Sequence, residues 1–259
     1  MLTRSIPVDK RIPVDKIFCI SLDRRSDRWS AFISAHQDEP DFLSQVERIS
    51  AVDGRLLNVP KQYRRYSGAY GCLYSHWRLA EERLSSRIQR VLVLEDDCRL
   101  QASIIDLTTY LSDAIAAHID YIHLGRSDSL SRMYMRDNSH ITFDQIGFAL
   151  NTHAYVMTPI IAKRICETLR VTPFPVNETL HTDRLLMELA SKDKWSISCP
   201  KNALFIQDKT IPGDIEWGIP WTLRRLIRGA KRRLREAKNM ISYRHLTIIL
   251  FFAVAIVVM

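Results

Sequence analysis

The chain has 259 residues, 46% hydrophobic and 25% charged, with a net charge of +8, which suffices for a full core and excludes a disordered or collagen-like chain. Its five cysteines (Cys19, Cys72, Cys98, Cys166 and Cys199) are scattered and odd in number, which argues against a disulfide framework and for reduced thiols. Nine basic residues against the single Glu236 between positions 222 and 245 account for the whole net charge, so the basic character belongs to one segment.

The chain opens with a tandem IPVDK at Ile6–Lys10 and Ile12–Lys16, too short for a structural repeat and read as an extended leader over 1–15. No apolar run follows the first residues, so no signal peptide is expected. IFCISL (Ile17–Leu22) reads as a first strand, and Ser26 as the N-cap of a helix reaching about His36. VERI (Val46–Ile49) is a short second strand, AVDG (Ala51–Gly54) its end and turn, and Arg55–Ser67 a polar loop. From Ala69 to Arg87 the apolar positions Leu73, Trp77, Ala80 and Leu84 share one helical face. VLVLE (Val91–Glu95) is a buried strand. Ile104, Leu107, Thr108, Leu111 and Ile115 mark another amphipathic helix. DYIHLG (Asp120–Gly125) is a strand and turn, 128–145 a hairpin, and HAYVMT (His153–Thr158) a strand. Pro159 starts a helix to about Leu169. A helix over Thr179–Ser191 and short strands at Trp195–Cys199 and Ala203–Gln207 complete the body. Alternating strands and helices predict an α/β fold, a mainly parallel sheet flanked by helices.

The aliphatic VLVL runs straight into Glu95, Asp96 and Asp97. In such a sheet, ligands bind outside the carboxyl ends of the strands. If strand alternation persists, Glu95 and Asp97 point one way and Asp96 the other. Three ionised carboxylates this close raise one another's pKa. A divalent cation removes the conflict, and hard oxygen ligands suit Mg²⁺ or Mn²⁺ shared with substrate phosphates. The acids predict a metal-bound diphosphate, unless they cap the next helix or pair with Arg24 and Arg99.

The helix before this strand reads SGAYGCLYSHWRLAEERL. With Gly68, Gly71, Cys72, Ser75 and His76, followed by Glu95, Asp96 and Asp97, it resembles glycosyltransferase family 25, the lipooligosaccharide and procollagen galactosyltransferase family. ISLDRRSDR resembles that family's first strand and loop, with Ser21 where asparagine is usual; AVDG and HAYVMTPIIAKRI resemble later segments. The likeness covers roughly residues 16–210. It implies a GT-A-like fold over 16–221, a nucleotide-sugar donor such as a UDP-sugar, a saccharide or glycolipid acceptor, and usually a metal. By the same resemblance Asp97 ligates Mn²⁺, Glu95 holds the metal or the ribose, and Asp96 belongs to the same element. Ser21, Leu22 and Arg24 fall where the nucleotide lies, Asp53 contacts base or ribose, and His76 lines the donor site.

Arg24, Arg25 and Arg28 follow the first strand, where one contacts a phosphate or all three form salt bridges at the helix start. Asp53 by itself also suits an ordinary Asp-Gly turn, and His76 also suits a buried, hydrogen-bonded position. The family's β-linkages from α-linked donors imply inversion, which requires a base. Asp183, early in its helix, is the candidate, with Asp128 and Glu178 as rivals; the helix dipole also explains an acid there. Cys72 and His76 have helical ligand spacing, but no second pair lies near in sequence, so no zinc site is expected.

Residues 222–245 form a basic amphipathic helix with Leu223, Leu226, Ile227, Ala230, Leu234, Ala237 and Ile241 on one face. LTIILFFAVAIVVM (246–259) follows without a charge. The pair reads as attachment to an anionic membrane surface, with the domain facing the cytoplasm; a buried terminal element is the alternative. Nucleic-acid binding is disfavoured, since no base-reading motif is evident. The sequence thus predicts a membrane-associated, metal-dependent, inverting hexosyltransferase for lipooligosaccharide or another envelope glycan. Its competitors are a non-catalytic membrane adaptor that keeps a decayed transferase fold and a nucleotidyltransferase.

Overall fold

Side chains that alternate along a strand need two partners if both faces are apolar, and the central strands of this chain are apolar on both. The computed structural model describes residues 10–84, 88–125, 151–175, 180–200, 202–208 and 210, all within the unit Met1–Ile215. The hairpin expected at 128–145, Asp128, Glu178, the basic helix 222–245 and the tail 246–259 lie outside the described residues. No helix among the described residues is long and apolar enough to cross a membrane.

In chain order the elements are β1 (Lys16–Ser21), α1 (Ser26–Ala35), α2 (Pro40–Leu43), β2 (Val46–Ser50), α3 (Ser67–Leu84), β3 (Val91–Glu95), β4 (Cys98–Leu100), α4 (Ile104–Ala116), β5 (Tyr121–His123), β6 (Ala154–Met157), α5 (Pro159–Val171), α6 (Thr182–Asp193), β7 (Ile197–Ser198) and β8 (Phe205–Gln207). The main sheet has the order β2-β1-β3-β6-β5-β7. β1 runs parallel to β2 and β3, and β5 parallel to β7, whereas β6 is antiparallel to both its neighbours. The expected mainly parallel sheet is therefore present, with β6 reversed inside it.

Alternation divides the core in two. Ile17, Cys19, Leu92, Leu94 and Val156 pack with Phe32 of α1, Phe42 of α2, and Leu107 and Leu111 of α4. Phe18, Ile20, Val91, Val93 and Tyr155 pack on the opposite face with Leu73 and Ala80 of α3, Ile161 and Ile165 of α5, and Leu185 and Leu186 of α6. Leu94 is fully buried, so Leu94→Ala costs about 2–5 kcal/mol in lost burial and cavity.

Several local expectations change. Ser26 is the first helical residue of α1; Arg25 is the N-cap and makes no side-chain cap bond, its guanidinium being held by Asp27. Ser103 does cap α4, accepting from the Asp106 N–H at 3.1 Å. The buried stripe of α4 is Ile104, Leu107, Tyr110, Leu111 and Ala114, with Tyr110, bonded to Ser198, and Ala114 in place of the expected Thr108 and Ile115, which are half-buried. The polar stretch read as a loop contains two short 3-10 segments, Gly54–Leu56 and Lys61–Tyr66. β4 and α2 are too short to show a period, and β4 pairs only with β8 in a separate two-stranded sheet.

The leader also ends earlier than 1–15 suggests. Ile12 is 2% exposed and its N–H donates to Gln45 at 3.1 Å. Asp15 accepts from the N–H groups of Gln89 and Arg90 at 2.7 and 2.8 Å. Residues 10–15 thus belong to the packed body.

Two glycines set the entry of α3. A Cβ on Gly54 would sit 1.7 Å from the Ser67 carbonyl oxygen, and one on Gly71 would sit 2.6 Å from the Gly54 nitrogen. The turn after β2 and the first turn of α3 therefore touch backbone to backbone. Ser75 secures the contact, donating to the Gly71 carbonyl at 2.7 Å and accepting from the Val52 N–H at 2.8 Å.

Candidate functional site

β3 ends at Glu95 with its last N–H bonded to His153 O at 3.0 Å, and the next two residues turn into β4. The three acids at this point receive three environments.

Glu95 faces α3. His76 Nε2 lies 3.3 Å from its Oε1, and Thr152 Oγ1 donates to the same oxygen at 2.6 Å. His76 Nδ1 lies 3.0 Å from the Tyr155 hydroxyl. Burial raises the Glu95 pKa, but the His76 hydrogen bond and charge, the Thr152 hydroxyl and the charge of His153 outweigh it and bring the carboxyl down to about 2. Glu95 is an anion at neutral pH.

Asp96 and Asp97 face α1, where one cation serves both. Arg28 donates from Nε to Asp96 Oδ1 at 2.6 Å, and its Nη2 lies 2.5 Å from Asp96 Oδ1 and 3.1 Å from Asp97 Oδ2. Gln207 Nε2 also donates to Asp97 Oδ2, at 3.1 Å. Arg28 is 6% exposed; burial disfavours its charge, and Asp97 and Asp96 more than restore it. Burial followed by the charge of Glu95 raises Asp97 to about 6. Burial also raises Asp96. The mutual repulsion expected of adjacent carboxylates therefore acts on both aspartates, with Glu95 the second-largest cause at Asp97 and a lesser one at Asp96.

The alternation expected of the triplet stops at Glu95, because the strand stops there. Asp97 turns to the side of Asp96, and both pair with Arg28, not with Arg24 or Arg99. Asp97 Oδ1 remains buried with no hydrogen-bond partner. A buried carboxylate oxygen without a donor is costly, and a hard cation would satisfy it. Asp97 Oδ1, close enough to Glu95 to feel its charge, is the oxygen that Mn²⁺ or Mg²⁺ would satisfy here.

The other expected site residues fall into three groups. Ser21 is buried beside Asp96 at the end of β1, and Leu22 begins the following turn, its carbonyl accepting from the Arg25 N–H at 2.9 Å. Arg24 Nε donates to Asp53 Oδ2 at 2.7 Å, and Arg55 Nη2 binds that oxygen at 2.8 Å. The Arg55 hydrogen bond, then Arg24, hold Asp53 well below the usual carboxylate range. Asp53 also caps its 3-10 turn, so the ordinary-turn reading of this residue is part of its role. His76 is 0% exposed and meets the acid cluster through Glu95.

Asp183 enters from the first turn of α6. Its Oδ2 accepts the Asn151 N–H at 3.0 Å and its Oδ1 the Arg184 N–H at 2.8 Å. Asn151 has a positive φ of 73°, and the next residue, Thr152, donates to Glu95. Asp183 thus anchors the turn that orients Thr152. A carboxylate offers about four lone-pair sites, so two bonds do not exhaust it as a base.

Thr152, Tyr155 and Gln207 shape this site without having been singled out for it from sequence, and Arg28, expected as a phosphate contact or a salt-bridge partner, pairs with Asp96 and Asp97. Arg28 had a legible signal: it stands one helical turn before the buried Phe32, a cation on an apolar stripe. Thr152 and Gln207 gave none, since their roles depend on which strands become neighbours.

The sandwich and the acid-lined end of its central strands define an α/β protein with its polar cluster where such sheets bind ligands. The chain belongs to glycosyltransferase family 25: residues 14–180 match that family, described as LPS biosynthesis protein. It is 31% identical over 145 residues to the human inactive glycosyltransferase 25 family member 3, covering 48% of this chain and 24% of that protein. It is 30% identical over 132 residues to human procollagen galactosyltransferase 2, covering 43% and 21%. Over 204 residues it is 30% identical to a glycosyltransferase 25 family member of Anopheles gambiae, covering 68% and 32%. The chain therefore spans about a fifth to a third of the length of these curated relatives. A solved glycosyltransferase involved in glycosylation of the major capsid of PBCV-1 aligns over 76% of this chain and 93% of its own, at TM-score 0.43 and 10% identity, too distant to inform the site.

Proposed function

We propose that this chain is a metal-assisted hexosyltransferase with a GT-A-type nucleotide-binding sheet. In this reading it takes a UDP-sugar, with galactose the first choice, and passes the hexose with inversion to a saccharide on lipooligosaccharide or another envelope glycan. The single observation that carries the reading is the pairing of an ionised Glu95 with the unpartnered, buried Asp97 Oδ1 at the end of β3 in a family 25 chain. Galactose rests on the name of the procollagen relative, the envelope acceptor on the description of the family.

Asp97 and Glu95 would hold Mn²⁺ or Mg²⁺, which supplies charge stabilisation for a departing nucleoside diphosphate. Arg28 fixes Asp96 and one oxygen of Asp97, which leaves the other oxygen of Asp97 available. Ser21, Leu22, Arg24 and Asp53 line the β1–β2 side for the nucleoside. Asp183 would take the acceptor hydroxyl's proton on a lone pair its backbone bonds leave open. The test is release of UDP from UDP-galactose with Mn²⁺ and a saccharide acceptor: turnover in the wild type and its loss in Asp97→Ala supports the reading. Turnover that Asp97→Ala retains, or that chelation leaves unchanged, removes it.

The adaptor reading has an observation of its own. Arg28 already neutralises charge on Asp96 and Asp97 without a metal, and one human relative is named inactive. Under that reading UDP with Mn²⁺ leaves the melting temperature unchanged, whereas a transferase is stabilised by what it binds. Nucleoside triphosphates with Mn²⁺ in the same assay address the nucleotidyltransferase alternative.

We also infer attachment of residues 222–259 to an anionic membrane surface with the domain on the cytoplasmic side, on the strength of the basic amphipathic pattern and the uncharged run from Leu246. Vesicles containing anionic lipid should retain the full chain and release a variant lacking 222–259. Equal retention of both removes the inference.

A further inference from the structure

Where α3 crosses the end of β3, three side chains of different chemistry converge. Cys72 and His76 are four residues apart on α3 and project to the same side of the helix. Glu95 faces them from β3. One ligand atom from each, the Cys72 Sγ, a His76 ring nitrogen and a Glu95 carboxylate oxygen, lies within 4.8 Å of the other two. Zinc bonds of about 2.0–2.3 Å at tetrahedral angles place ligand atoms roughly 3.5 Å apart, so small side-chain rotations close the set.

Every ligand also has an outer partner of the kind that orients metal ligands. His76 Nδ1 is 3.0 Å from the Tyr155 hydroxyl. With zinc bound, the Nδ1 proton is donated there and Nε2, freed of the hydrogen it gives Glu95 in the metal-free chain, offers its lone pair. Thr182 Oγ1 lies 3.7 Å from Cys72 Sγ, and Thr152 Oγ1 donates to Glu95 at 2.6 Å. His76 is fully buried while Cys72 and Glu95 are partly exposed, which gives an ion a path in.

We propose that Cys72, His76 and Glu95 form a zinc site distinct from the hard-cation site of Glu95 and Asp97. A thiolate and an imidazole select zinc over Mn²⁺ and Mg²⁺. On binding, the Cys72 thiol gives its proton to solvent, His76 binds as the neutral imidazole, and Glu95 is already an anion. Thiolate and carboxylate then balance the dication within a protein wall. Three protein ligands leave a fourth position for water. Because Glu95 belongs to both sites, zinc on the α3 side withdraws it from the diphosphate metal and inhibits transfer. The zinc site stands on the three residues alone; only its inhibitory consequence rests on the proposed function.

The test uses the full chain stripped with chelator and loaded with Zn²⁺ or Co²⁺. One ion per chain, a thiolate-to-cobalt absorption band, and its loss in Cys72→Ser but not in Cys166→Ser are the expected results. X-ray absorption at the zinc edge of the wild type needs no variant, and should show one sulfur at about 2.3 Å with nitrogen and oxygen completing the shell. Substoichiometric metal, a band that survives Cys72→Ser, or a shell without sulfur overturns the site. Mn²⁺-dependent transfer is measured on the same preparation: its absence alongside a cobalt band removes the transferase and keeps the zinc site. Transfer that zinc leaves unaffected overturns the inhibitory role.

Discussion

The two sides of the β3 terminus solve one problem differently. On the α3 side a histidine and a threonine hold Glu95 by hydrogen bonds, with Tyr155 behind the histidine, and the acid stays ionised. On the α1 side a single buried guanidinium serves two aspartates and leaves Asp97 Oδ1 without a donor, while burial and the charge of Glu95 raise the Asp97 pKa in spite of Arg28. A histidine and a threonine fix one carboxylate, whereas a shared guanidinium leaves another with an oxygen to spare. The difference teaches that three acids adjacent in sequence receive different environments, and that the oxygen without a partner is on Asp97.

The harshest way to break the comparison is to remove the shared cation. Arg28→Met leaves Asp96 and Asp97 buried without their partner and should cost about 3–5 kcal/mol, read as a fall in urea midpoint. Adding Asp96→Asn should recover part of that loss, because one of the two stranded charges is gone.

Titration sharpens the contrast. Asp97 is raised from 3.8 to about 6. Between those values the folded chain keeps a proton that the unfolded chain has lost, so this group's contribution to stability falls as pH rises through the window and is level above it. Asp97→Asn should match wild type at about pH 4 and exceed it by at most about 3 kcal/mol above pH 7. Under the proposed function Mn²⁺ with UDP requires the ionised form, so their thermal shift on the wild type should be larger at pH 8 than at pH 5.

On the other side, His76→Phe removes a hydrogen bond to an ionised carboxylate and leaves Tyr155 without its ring partner. A loss of about 1.5–3 kcal/mol is expected, together with a Glu95 carboxyl that titrates higher by NMR. A normal Glu95 titration in that variant would show that Thr152 and His153 suffice.

Gly71→Ala tests how that side is held in place. The added methyl meets the backbone of Val52 and Gly54 at 2.7 and 2.6 Å, and overpacking of this kind costs about 1–3 kcal/mol. Melting temperature reads the cost, and loss of nucleotide-dependent stabilisation would show that the Asp53 turn has moved with it.

Sequence alone determined much of the body. Apolar runs such as VLVLE and AYVM became strands because both faces of those strands are covered, and Pro159 marked the start of α5. Family 25 was legible from the Gly68–His76 helix and the acids after Leu94, and local spacing placed Cys72 and His76 on one helical side. Only the tertiary structure decided that β6 is reversed, that Arg28 serves Asp96 and Asp97, that Asp183 orients Thr152, and that Glu95 is the third group facing Cys72 and His76. The physical reason is range: helical and strand periodicity are fixed by bonds within a few residues. A carboxylate's protonation and partners are set by whichever distant elements the packed core brings within hydrogen-bonding distance.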